Sequence, residues 1–177
     1  MNYLKGLVLL LISHTFCFAN DGAFYAKGNH LIPMYETDIS VKKEILTIKR
    51  INKTQVKIDV YYEFYNPLKE KTVEVGFEAA SPTGDVNGSP VNGQHPYMKG
   101  FNVNLNNQSL PYAVAIVNDS VYYKNGKFIS KKLSSVLKEI DNVNEVNFFY
   151  VYHFKATFKK GLNILKHSYI LDLSTGV

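Results

Sequence analysis

Hydrophobic and polar positions alternate along much of the chain with a period of two. The clearest stretch follows Asn52-Lys53-Thr54, where Val56, Ile58, Val60, Tyr62 and Phe64 share one parity and Lys57, Asp59 and Glu63 take the other. Successive side chains of extended backbone point to opposite faces, so this pattern predicts a half-buried strand. The preceding segment, Asp38 to Ile51, changes phase: Ile39 and Val41 lie on one parity, Leu46 and Ile48 on the other. A bulge near Lys43 and Glu44 reconciles the two halves and lets this strand pair with its successor as a hairpin. Asn66-Pro67 ends the run, because proline donates no N–H and restricts the residue before it. A third strand then places Val73, Val75, Phe77 and Ala79 inward.

From Ala80 to Gly100 the periodicity disappears into ASPTGDVNGSPVNGQHPYMKG, which predicts a long loop. Loops of that length inside a compact domain are uncommon and often functional. Short strands resume at Phe101 to Asn106 and Leu110 to Asn118, joined through Asn107-Gln108. Lys124-Asn125-Gly126 predicts a tight hairpin within Val121 to Phe128, since Asn and Gly both tolerate positive φ. Only one segment switches to helical spacing: Leu133, Val136, Leu137 and Ile140, within Ser130 to Ile140, with Ser130 as the cap. The longest strand follows, with Val146, Phe148, Tyr150, Tyr152, Phe154, Ala156 and Phe158 on one parity. A turn at Lys160-Gly161 leads to a final strand from Asn163 to Leu173, read as its hairpin partner. Many short strands separated by turn signals predict an all-β fold, an immunoglobulin-like β-sandwich with one short helix.

The start of the chain has a different pattern. Residues 1–19, MNYLKGLVLLLISHTFCFA, carry one lysine, an apolar run from Leu7 to Ile12 and a small residue, Ala19, before a polar stretch. That is the layout of a cleavable export signal, and the apolar run falls short of the about 20 residues a spanning helix needs. Residues 20–177 are then expected to form one domain outside the cytoplasm, periplasmic or extracellular, with no transmembrane helix after cleavage. Cys17 is the only cysteine, so the processed domain would have none, which excludes disulfides, thiolate catalysis and cysteine-ligated zinc. Losing Lys5 lowers the formal charge from +5 to +4; the lysines are scattered, and no nucleic-acid surface is indicated.

Candidate chemistry is sparse. The sequence has no G-x-S-x-G elbow and no Gly-rich phosphate loop, and no two carboxylates are set locally for acid–base work. His153 and His167 are expected to approach each other across the terminal hairpin; two imidazoles fit a structural pair better than a metal site. Glu44, Asp59, Glu63, Glu74 and Glu78 read as strand-face partners of lysines. Tyrosine is the one enriched type, at Tyr61-Tyr62, Tyr122-Tyr123 and Tyr150/Tyr152; packing within the sheets and stacking on a ligand are both open for these rings.

Four stretches, GNHLIPMYETDISVKKEILTIKR, VKIDVYYEFYN, VEVGFEAASP and KKGLNILKHSY, resemble the N-terminal domain of a family of secreted bacterial proteins known as a domain of unknown function, some of whose relatives carry a YARHG domain downstream. Gly28, Leu31, Asp38, Ile39, Glu44, Leu46, Ile48, Tyr62, Phe64, Asn66, Phe77, Gly161, His167 and Tyr169 occupy the family's pattern. The pattern departs at Glu78, where a proline often follows the Phe. The resemblance implies a strand framework and no catalytic signature. Relatives usually continue past the point where this chain stops, so the chain reads as truncated at its C-terminus.

Together these features predict an exported, non-enzymatic cell-envelope domain without cofactor or metal that binds or scaffolds a macromolecular partner, an unknown protein or an envelope glycan. The alternative is a carbohydrate-binding or hydrolase-accessory module acting on envelope glycans. The expected working surfaces are an exposed sheet face and the long loop, with Asp85, Asn87, Asn92, Gln94, His95 and Tyr97 as partner-binding residues. The last strand, apolar on both faces and near the chain end, is expected to leave an edge open to self-association.

Overall fold

The computed structural model describes residues 31–33, 37–82, 87–118, 121–140 and 148–173. The expected signal segment and Asp85 lie outside the described residues. Eleven strands and one helix follow in the order β1 (Leu31–Pro33), β2 (Ser40–Arg50), β3 (Gln55–Asn66), β4 (Lys71–Ala80), β5 (Met98–Leu105), β6 (Gln108–Ser109), β7 (Ala113–Val117), β8 (Tyr123–Lys124), β9 (Lys127–Phe128), α1 (Leu133–Ile140), β10 (Phe149–Phe158) and β11 (Gly161–Asp172).

Two antiparallel sheets form the sandwich, the first ordered β1-β4-β10-β7 and the second β2-β3-β11-β5-β6. Their inward residues are those the alternation predicts. Val73, Val75, Phe77 and Ala79 of β4 and Tyr150, Tyr152, Phe154, Ala156 and Phe158 of β10 meet Val56 to Phe64 of β3 and Leu165 and Tyr169 of β11 in one buried core. The expected bulge is present, with the β2–β3 register shifting between Val41 and Lys43. Helix α1 covers the core with Val136, which is fully buried. The β8–β9 hairpin lies over the outer face of the first sheet, where Tyr122 and Phe128 close a second apolar cluster around Ala115, Val117 and Val151.

Several expectations change. β10 and β11 are not a hairpin: β10 pairs with β4 and β7, β11 with β3 and β5, and the chain crosses from one sheet to the other at Lys159-Lys160. The crossing is held by Asn163, fully buried, whose side-chain amide donates to the Lys159 and Gly161 carbonyls (2.7 and 3.1 Å). Its Oδ1 accepts from Lys159 N–H and Asn106 Nδ2 (both 2.9 Å). His153 and His167 therefore do not meet. His167 is buried between the sheets, and His153 sits on the outer face of the first sheet against Phe128. For the same reason β11 offers no edge for self-association, since both of its flanks are paired.

The helix begins at Leu133, and Ser130 does not cap it; Ser130 Oγ accepts from Ile116 N–H (3.1 Å), while Lys132 C=O takes the first helical bonds. The turn between β5 and β6 is Asn106-Asn107, both at positive φ, one residue earlier than expected. The long loop is also shorter than its composition suggests, because Met98 is buried and already starts β5.

Candidate functional site

The loop between β4 and β5 closes one end of the sandwich. As the chain leaves β4, buried Ser81 donates from Oγ to Phe148 C=O at the entry to β10. Further on, Asn87 Oδ1 accepts Ser89 N–H (2.9 Å), an Asx turn that starts the ordered half of the loop. Val91 and Gln94 then exchange two backbone hydrogen bonds of 3.0 Å around Asn92-Gly93, with φ of 52° and 74°. This is the two-residue hairpin that Asn-Gly favours, since both central residues must be left-handed. Val91 is 57% exposed at its tip.

His95 anchors the loop. Its backbone N–H donates to Tyr152 Oη (3.2 Å), and Tyr97 N–H donates to its Nδ1 (3.2 Å). Nδ1 is thereby the acceptor, so the proton sits on Nε2 and is donated to Ala80 C=O (3.0 Å). The ring stands edge-on to Tyr150, with centroids 5.2 Å apart. Burial lowers the His95 pKa, partly opposed by the Ala80 carbonyl, which favours the protonated ring. Both ring nitrogens are thus engaged within the fold.

Behind the loop, burial pushes the Tyr152 hydroxyl up to about 12 and raises that of Tyr150 as well. Tyr150 Oη is buried with no partner among the described residues. On the far side, Asp172 N–H donates to Tyr97 C=O (2.8 Å). The Asp172 carboxylate pairs with Lys99 and accepts from Gln55 Nε2 (2.8 Å), and these two contacts, Lys99 first, hold its pKa below the usual range.

Of the residues expected to bind a partner, the structure therefore brings Asn87, Asn92, Gln94, His95 and Tyr97 into one segment, but divides their roles. His95 and Tyr97 are half-buried and hold the loop, whereas Asn87, Val91 and Asn92 are exposed. Alternation along the sequence did not reveal two outer-face pairs on the first sheet. Glu74 bonds His153 Nδ1 (2.9 Å), and Glu78 accepts from the Tyr122 hydroxyl. The shared outward parity of Glu74 and Glu78 was visible, but the strand register that supplies their partners was not. Among the described residues Tyr62, Tyr122, Tyr150, Tyr152 and Tyr169 are buried, and Tyr65 alone of the tyrosines is exposed. Among the described residues no three His, Cys, Asp or Glu side chains come together as a metal site.

Neither a known family profile nor a curated protein matches this chain. Its fold is similar to a crystal structure of a Legionella pneumophila protein provisionally described as a nutrient binding protein, with a TM-score of 0.52 and 20% sequence identity. The match covers 86% of this chain and 45% of that one, so the present chain spans less than half of its length. At that identity the likeness speaks for the fold alone.

Proposed function

We propose that this is a non-enzymatic binding or scaffolding domain of the cell envelope, exported through its N-terminal signal, and that the Val91–Gln94 hairpin is the contact point for a protein partner. One observation carries the reading: the hairpin tip is exposed while its base is tied to both sheets through His95 and Tyr97. A preformed loop on a rigid scaffold meets a partner with little ordering cost. The tip offers an apolar side chain flanked by amides, a composition suited to a protein surface.

The test is capture of envelope proteins by the intact domain and by a variant with Val91→Ser and Gln94→Ser. The wild type should retain a defined partner that the variant loses, with the thermal midpoint unchanged. Equal retention by both would remove the hairpin from the interface.

The glycan-binding alternative has less to rest on. Tyr65 and Tyr61 on the same sheet face lie under Lys42 and Lys166, each ammonium 5.8 Å from the ring centroid, so one face of each ring is already taken by a cation. Retention by peptidoglycan, lost in a Tyr61→Ala, Tyr65→Ala variant, would favour that alternative instead.

A further inference from the structure

The longest free sheet edge among the described residues belongs to β2. Other edges are short or shielded: β1 has 3 residues and β6 has 2. β7 is covered by the segment after β9, where Lys131 N–H donates to Ile116 C=O (2.7 Å). β2 runs for 11 residues with β3 on one flank and no described strand on the other. Its inner side carries Leu46 and Ile48 between Glu44 and Arg50, and Leu46 is 56% and Ile48 62% exposed, although their register opposite Val60 and Ile58 puts them on the core face.

The topology explains the overhang. Phe77 of β4 packs on His167 and Tyr169 of β11 and Phe101 of β5, so the first sheet is centred over β11 and β5. The facing sheet has only the three residues of β1 on the flank toward β2. A long edge of this kind is a template for another strand.

We propose that β2 is a self-association edge, pairing antiparallel with β2 of a second copy about a two-fold axis at Thr47. The charge pattern selects both the occupant and the register. With Thr47 opposite itself, Glu44 faces Arg50 of the second copy and Leu46 faces Ile48, each contact occurring twice by symmetry. Glu44, Leu46, Ile48 and Arg50 all lie on the inner face, so both copies bury the same side. Centring the axis on Leu46 instead would set Lys43 opposite Lys49 and Lys42 opposite Arg50, which like-charge repulsion disfavours.

Sedimentation equilibrium of the intact protein tests this. The wild type should show a monomer–dimer equilibrium. Glu44→Arg and Arg50→Glu should each weaken it by roughly tenfold or more, and the double swap should restore it. Glu44 also accepts the Tyr62 hydroxyl (3.1 Å) and Arg50 donates to Lys53 C=O (3.2 Å), so each single variant has an internal cost that thermal melts would register. Thr47→Lys, at an exposed position, sets like charges opposite each other on the axis and should abolish the dimer without unfolding the chain. A monomer at every concentration, or a dimer that these swaps leave unchanged, overturns the proposal, as would loss in both single variants with no recovery in the double.

Discussion

Two side chains show at the residue scale how much this sandwich depends on groups that hydrophobic patterning treats as incidental. His167 is 1% exposed, stacked between Tyr62 and Tyr169 and packed against Phe77 and Phe101, with neither ring nitrogen hydrogen-bonded among the described residues. Burial lowers its pKa to about 4. The folded state then binds fewer protons than the unfolded one between that value and the ordinary histidine range near 6.5. Its contribution is fully present above the unfolded pKa and is lost as pH falls from about 6.5 through 4, by about 3 kcal/mol in all. Urea titrations across that range should show the decline. Because the imidazole brings no hydrogen bond, His167→Leu should fall within about 1 kcal/mol of wild type at pH 7 and flatten the acid limb. A large loss at pH 7 would mean that the ring has a partner. Asn163 is the opposite case, buried with all of its bonding capacity used at the sheet crossing. Asn163→Ala strands Lys159 and Gly161 backbone groups, and a loss of about 3 kcal/mol or more in denaturant titration is expected.

At the scale of elements, legibility followed local physics. β3 and β4 read directly because each has one buried and one less buried face, and the β2 bulge read from the phase change that it exists to repair. The hairpin at Asn125-Gly126 read from turn chemistry, with φ of 52° and 76° as such turns require. The β10–β11 connection did not read. A two-residue link between strands looks like a hairpin in sequence; here the chain crosses between the sheets, and the side chains of Asn163 and Asn66 hold the link, Asn66 donating to Phe158 C=O (3.0 Å). The 80–100 loop was legible as a loop but not as an anchored one, because a histidine between Gln94 and Pro96 carries no periodic signal. His95→Ala would leave Ala80 C=O and Tyr97 N–H without their ring partner, at a cost of about 1–2 kcal/mol. Hydrogen exchange in 87–97 should rise while exchange in β3 and β11 stays slow. The same loop should loosen in the wild type as the pH drops below the ordinary histidine range, since protonation removes the acceptor that Tyr97 uses. Exchange unchanged in both experiments would show that the loop is held without the ring.

For the whole molecule, the two sheets share one core, the β8–β9 hairpin covers the outer face of the first sheet, and the Val91–Gln94 hairpin and the long edge of β2 stand exposed among the described residues. In the proposed function, recognition runs through the loop tip. Its most direct measurement is in-cell crosslinking with a photoreactive amino acid placed at Val91 in one experiment and at Leu162 in another, both more than half exposed and on different surfaces. A discrete adduct from position 91, absent from position 162, is the predicted result. An adduct from position 162 alone would move recognition to the sheet face and contradict the account.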